Sequence, residues 1–443
     1  MEQPAEGVDV LERLRELPGG RVLLELACGR ADVELVGGAV RDLLLGRSPR
    51  ELDVVVDGAA DAFARRIAAI VDCRFAADDG SRCGVERHER FGTAVVWWKR
   101  GRVDVASRRS ESYAAPGALP DVRAGTPAED LQRRDFTVNA IALPLGGAHR
   151  GELRAAPHAL EDLRAGRLRV LHEQSFIDDP TRLLRLARYR ARLQFAAEQR
   201  TAALAADALA AGALATISRA RFGAELRLAL GEADPIASLS ALDELGAFAT
   251  LHAAMHLDVA LARDALAELP ADGRRELLLL ATLLLGAAEA SREGVEIDRR
   301  EESAEHVERT LSELLDQLEL GAEQRDTAVR AASFAPALAD LLAQARTPWQ
   351  VHEAAFGEPV EAVALAAALG SAQDRPEVVA AARRWLSDWR EVSLQIGGDD
   401  LIAAGMSAGP QIGYALERVL RRRLDGELAP GREAELSAAL EGA

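Results

Sequence analysis

The chain has 443 residues, 49% of them hydrophobic but only 4% aromatic, and a formal net charge of −17. That length allows about two to four domains and a sizeable core, and the Ala- and Leu-rich composition describes a soluble, largely helical protein. The acidic balance excludes a protein that coats nucleic acid indiscriminately, and no apolar run reaches membrane-spanning length.

Residues 1 to about 30 read as a short helical extension. Their opening, MEQPAEGVDVLERLREL, is acidic and amphipathic, unlike a signal peptide. From about 31 to 150, strand-like runs at 33–36, 52–56, 93–98, 102–106 and 138–144 alternate with helical runs at 40–46 and 59–71, an α/β pattern. Trp97 and Trp98, in FGTAVVWW, read as core and surface packing rather than base-stacking platforms. After about 155 the strand signals vanish. Helical periodicity continues to the end, with breaks near Gly212, Asp234-Pro235, Pro270 to Gly273, Pro348 and Gly397-Gly398, and a charged run from Glu289 to Glu305. Cys28, Cys73 and Cys83 lack metal-ligand spacing and read as free thiols of a reducing cytoplasm.

Chemistry concentrates in VELVGGAVRDLLLGRSPRELDVVVDG, residues 33 to 58. A strand runs into Gly37 and Gly38, a helix follows with Arg41 and Asp42, and a second strand carries Glu51 and Asp53. Side chains two apart on a strand share a face, so the two acids project together and need a cation to offset their repulsion. The glycine pair lets backbone N–H groups approach a phosphate at a helix start. This order predicts Mg²⁺-dependent chemistry on a nucleoside triphosphate. Taken singly, a tight turn, a solvated acidic face and an exposed arginine explain the same residues.

Three later segments extend the motif. In RVDVASRRSESYAAPGALPDV, Asp104 is a third carboxylate beside the pair, as a two-metal arrangement requires. In EDLQRRDFTVNAIAL, residues 129 to 143, Arg134 suits triphosphate oxygens, with a structural Arg–Asp pair as the competing explanation. In RVLHEQSFIDDPTRLLRLARYRARLQF, residues 169 to 195, Asp179-Pro180 starts a helix. Arg182, Arg185, Arg188 and Arg192 then form a basic stripe, opposite the apolar Leu183, Leu184, Ala187 and Leu193.

Together LVGGAVRDLLLG, ELDVVVDG, VDVASRR, DLQRRDFTVNAIA and FIDDPTRLLRLARYRARL resemble the tRNA nucleotidyltransferase and bacterial poly(A) polymerase family, class II branch. Weaker likeness continues in SRARFGAELRLAL (218–230) and in GDDLIAAGMSAGPQIGYALERVLRRRLDG (398–426). The resemblance implies an α+β fold: a small mixed-sheet, polymerase-β-like nucleotidyltransferase head followed by an extended all-helical neck, body and tail. The expected division is an extension at 1–30, the head at 31–155, a base-recognising neck at 156–225, a helical body at 226–345 and a tRNA-binding tail at 346–443.

The implied activity is addition of C and A nucleotides, all or part of CCA, to a tRNA 3′ end from CTP and ATP with Mg²⁺, in the cytoplasm and away from membranes. By the same resemblance Glu51 and Asp53 bind metal and Asp104 helps activate the 3′-hydroxyl. Gly37, Gly38, Arg41 and Arg134 hold the triphosphate. Asp179 and Arg182 read the base, supported by Arg185 and Arg188. The DDPTR helix and the segment between Glu111 and Asp130 are similar to relatives that divide the task, adding only A or only CC. Glu51 departs from the family's usual Asp-x-Asp by one methylene. Three alternatives stay open: a poly(A) polymerase, a non-catalytic RNA-binding protein with a decayed head, and a nucleotidyltransferase acting on a small molecule. No His-Asp dipeptide supports an appended phosphohydrolase domain.

Overall fold

The computed structural model describes residues 7–71, 83–88, 92–99, 101–293 and 300–441; Cys73 lies outside them. The chain divides into two compact units, Met1–Ile217 and Ser218–Ala443.

The first unit is built on a seven-stranded sheet in the order β3-β4-β5-β2-β1-β8-β9. Its strands are β1 (Val33–Val36), β2 (Leu52–Val56), β3 (Gly84–His88), β4 (Thr93–Trp98), β5 (Gly101–Ser107), β8 (Ile141–Pro144) and β9 (Arg154–Ala155); β6 (Arg109–Ser112) and β7 (Asp121–Ala124) form a separate hairpin. β2 and β5 run parallel, and the other neighbours in the sheet are antiparallel. Alternation sends Leu52, Val54 and Val56 to the back face, where they are at most 5% exposed. Helices α1 (Gly7–Glu16), α2 (Pro18–Leu26) and α4 (Ala60–Val71) bury their apolar stripes as well. α2 packs closely enough that a Cβ on Gly19 would lie 3.1 Å from both Leu52 and Trp98. Helix α3 (Gly38–Leu44) connects β1 to β2.

The strand expected over 138–144 is shorter, and its first residues form a 3-10 turn, Thr137–Asn139. The reason is polar: the Asn139 side chain bonds both Asp135 and Arg41, which curls the backbone before β8 begins. A two-residue parallel pair, Arg167–Leu168 with Ala196–Ala197, lies beyond the point where strand signals fade; pieces that short leave no alternation to read.

The other face of the sheet buries Glu34, 1% exposed, which accepts from Arg108 at 2.8 Å and Arg154 at 2.7 Å. Arg108 is nearly buried too, and also reaches Asp57. Removing one member of such a group strands a buried charge. Glu34→Ala is therefore expected to cost about 3 kcal/mol of stability, read by urea denaturation, and a loss under about 1 kcal/mol would contradict this account.

The second unit is helical throughout its described residues, from Arg219–Leu230 to Arg432–Leu440. The helices starting at Pro235, Arg275, Pro348 and Gly398 begin at expected breaks, whereas others, such as those at Val259, Ala322 and Val360, begin where none was expected. Asp234 accepts from the Ala237 N–H at 3.0 Å and Thr347 from the Gln350 N–H at 3.3 Å, each capping a helix that begins with proline. Helix Val360–Ala372 is buried along most of its length, which its run of alanines permits. Near the C-terminus Leu401, Ala415, Val419 and Ala439 share one core cluster. Among the described residues no helix is long and apolar enough to cross a membrane. The fold is thus α+β, a mixed-sheet head followed by a helical remainder.

Candidate active site

The parallel pairing of β2 with β5 sets Asp53 directly opposite Asp104. Glu51, two residues before Asp53, projects from the same face. Glu51, Asp53 and Asp104 each offer a carboxylate oxygen, and these oxygens all lie within 4.8 Å of one another. The additional methylene of Glu51 does not remove it from the group. Burial, with Glu51 and Asp104 alongside, pushes the Asp53 carboxyl up to about 7; burial and Asp104 raise Glu51 as well. Oxygen donors packed this closely at a cost in charge repulsion fit a hard divalent cation.

Arg102 was not singled out from the sequence. It sits two residues before Asp104 on β5, donates to both Asp104 oxygens at 2.7 Å, and lies 3.6 Å from Glu51. The i, i+2 spacing on a strand was the available signal.

The phosphate corner adjoins these acids. Gly37 follows β1 with φ 67° and ψ −137°, a conformation that favours glycine. A Cβ there would lie 2.8 Å from Nη1 of Arg134 and 3.7 Å from Oδ2 of Asp53. Gly38, the first residue of α3, has no such constraint; a Cβ would meet Arg41 at 3.4 Å. Arg134 is held by Asp130 at 2.9 Å. Its buried Nε has no hydrogen-bond partner among the described residues.

Arg41, expected at the triphosphate, is 2% exposed. Its guanidinium donates to Asp42 at 2.8 Å and to Asn139 at 2.5 Å. Asn139 donates to Asp135, which also accepts from Arg185 at 3.1 Å, while Asp42 accepts from Arg192 at 2.9 Å. Burial opposes the charge on Asp135, yet Arg185 and the Asn139 bond hold its carboxyl below the ordinary value. This network ties α3, the turn at 137–139 and helix Thr181–Leu193 into one block. Tyr189 lies within it, with the guanidinium groups of Arg41 and Arg188 at 5.5 and 4.8 Å from its ring.

At the N-terminus of helix Thr181–Leu193, Oδ1 of Asp179 accepts from the Thr181 N–H at 3.1 Å and from its hydroxyl at 2.5 Å. Asp179 thus bonds the first helical residue from outside the helix; the N-cap position expected for it is taken by Pro180, with no side-chain cap. Arg182 is 3% exposed and donates to the Ser175 hydroxyl at 2.9 Å and the Arg133 carbonyl at 2.8 Å. The basic stripe is thus not a solvated face: Arg182 and Arg188 are buried, Arg185 is partly exposed, and Leu183, Leu184, Ala187 and Leu193 are buried as expected. Tyr113, passed over in the sequence, bonds Glu111 at 3.3 Å, and burial with that glutamate pushes its hydroxyl up to about 12. Glu111 also accepts from Arg133 at 3.0 Å.

Residues 33–169 match the family model described as the Poly A polymerase head domain. The A-adding tRNA nucleotidyltransferase of Halalkalibacterium halodurans is 41% identical over 240 residues, 54% of this chain and 53% of the relative. The CC-adding tRNA nucleotidyltransferase of Deinococcus radiodurans is 36% identical over 217 residues, 49% of this chain and 54% of the relative. The chain therefore spans about half the length of these curated relatives. The Thermotoga maritima CCA-adding enzyme, solved in complex with tRNA, is similar over 100% of this chain and 99% of its own, with a TM-score of 0.68 and 25% identity.

Proposed function

We propose that this chain, whose residues 33–169 match the Poly A polymerase head domain, is a template-independent nucleotidyltransferase adding C, A or both to the 3′ end of tRNA. The observation that carries this reading is the meeting of the Glu51, Asp53 and Asp104 carboxylates on one face of the sheet, beside the Gly37–Arg134 corner. Glu51 and Asp53 would hold Mg²⁺, which when bound supplies positive charge to the reacting phosphate and favours the ionised hydroxyl.

In this reading Gly37 and Gly38 let the triphosphate approach the backbone, and Arg134 donates to its oxygens. The 3′-hydroxyl oxygen of the tRNA bonds to the α-phosphorus, the bond from that phosphorus to the bridging oxygen breaks, and pyrophosphate leaves. Asp104 receives the hydroxyl proton. Arg41 acts at one remove, holding Asn139 and Asp42 so that α3 keeps its place against the turn at 137–139.

Asp179 and Arg182 read the base. C and A both present an exocyclic amino donor beside a ring-nitrogen acceptor, matching a carboxylate and a guanidinium. U and G reverse that polarity and leave buried groups unpaired. The bonds from Thr181 fix Asp179, and Ser175 with the Arg133 carbonyl fixes Arg182. Arg185 and Arg188 stiffen the same helix through Asp135 and Tyr189. Arg182→Ala is expected to relax the preference for CTP and ATP over UTP and GTP by about 10-fold or more, measured by competing incorporation. An unchanged preference would make Arg182 a framework residue only.

The discriminating assay incubates the protein with Mg²⁺, labelled ATP or CTP, and tRNAs ending in no C, one C, CC or CCA. Incorporation into CC-ended tRNA alone identifies an A-adding enzyme, the reading favoured by the 41% identity to one such relative. Long homopolymer tails identify a poly(A) polymerase. Retained tRNA binding without incorporation identifies a decayed head.

A further inference from the structure

The face that carries the three acids continues beyond them. Asp104 pairs with Val95 on β4, Arg102 pairs with Trp97, and Trp97 pairs in turn with Gly84 on β3. Directly paired residues share a face, so Trp97 stands on the same side of the sheet as Arg102 and Asp104. Trp98 turns to the back and is 6% exposed, whereas Trp97 is 49% exposed. The indole of Trp97 lies over Gly84, where a Cβ would come within 2.2 Å of its ring. A glycine at that edge position leaves room for the ring, while a large aromatic surface still faces outward beside the carboxylates.

The two flanks of the acid group differ. On the β1 side of Asp53 stands the Gly37–Arg134 corner assigned to the triphosphate; on the far side, past Asp104, stands Trp97. A displacement at phosphorus places attacking and leaving oxygens roughly in line. With pyrophosphate leaving toward Gly37, the hydroxyl must enter from the β5–β4 side. Adjacent strands lie about 4.8 Å apart, so the nucleotide bearing that hydroxyl extends over β4.

We propose that Trp97 is the stacking platform for the 3′-terminal base of the acceptor RNA. The inference rests on the nucleotidyltransferase reading above and adds to it a binding residue on the acceptor side. Stacking on an indole accepts any base, because every base has a π-face. An enzyme whose acceptor end changes identity with each addition needs that tolerance there, in contrast to the polar selection at Asp179 and Arg182. Arg102, next to the indole in the same row, is tied to Asp104 and so links the platform to the acid group.

The test uses the full chain and a tRNA whose 3′-terminal base is 2-aminopurine, bound without divalent cation, together with steady-state incorporation into unmodified tRNA. Wild type is expected to quench the 2-aminopurine fluorescence. Trp97→Ala is expected to lose most of that quenching and to raise KM for tRNA about 10-fold, while kcat changes by less than about threefold and the melting temperature is unaltered. Trp97→Phe, which keeps a stacking surface, should restore both readouts to within about threefold of wild type. Unchanged quenching and unchanged KM in Trp97→Ala would overturn the proposal, as would equal losses in the Ala and Phe variants. If wild type incorporates no nucleotide with any tRNA, the reaction reading fails by itself; the quenching comparison still decides whether Trp97 meets the terminal base.

Discussion

Asp53→Asn should lower nucleotide incorporation by about 10³-fold or more, because charge stabilisation by a bound divalent cation is worth several kcal/mol. The substitution keeps the shape of the side chain and removes a carboxylate whose ionisation is opposed by burial, Glu51 and Asp104. Folding should therefore survive, with a melting temperature equal to or above that of wild type in metal-free buffer. Added Mn²⁺ or Mg²⁺ should raise the melting temperature of wild type by binding the folded state, and should do so far less for the variant. Titration calorimetry with Mn²⁺ reads the same loss directly. Incorporation within 10-fold of wild type would remove Asp53 from the catalytic centre.

Gly37→Ala carries the second large effect. The residue sits at φ 67°, ψ −137°, and its new methyl group would press on Arg134 at 2.8 Å. Backbone strain of this kind costs about 1–3 kcal/mol, and displacing Arg134 also misplaces the triphosphate. The expected result is a fall in kcat/KM of about 10²-fold with a measurable loss of stability. Gly38→Ala is the informative control. Its methyl would meet only the end of Arg41 at 3.4 Å, so the loss should be at least about 10-fold smaller. Equal losses at the two positions would mean that the corner is not shaped by the conformation of Gly37.

Much of the head is legible in the sequence because its strands announce themselves locally. Val33–Val36, Leu52–Val56 and Thr93–Trp98 lie where β-branched runs and alternation place them. The acids of the site are legible for the same reason, since spacing along a strand fixes a face. The partners of the arginines are not. Nothing local says that Arg41 will be buried against Asn139, 98 positions away, or that Arg182 will donate to the Arg133 carbonyl. These are tertiary hydrogen bonds, and a guanidinium looks the same in sequence whether it meets a phosphate or a buried carboxylate. Likewise, the alternation of β4 says that one tryptophan of the pair is inside and one outside; the register with Asp104 says which, and that register belongs to the fold.

The parallel contact between β2 and β5 has a consequence for how such a head tolerates change over evolutionary time. Between the two strands, only the connections outside α4, β3 and β4 are free to lengthen or shorten, since β4 keeps Trp97 opposite Arg102. Within either strand the opposite holds: inserting or deleting a single residue shifts the phase of the pleat and turns one carboxylate to the back, next to α2 and α4. Viable drift in this lineage should therefore accumulate as indels in the connections between these elements, with β2, β4 and β5 each keeping a fixed frame.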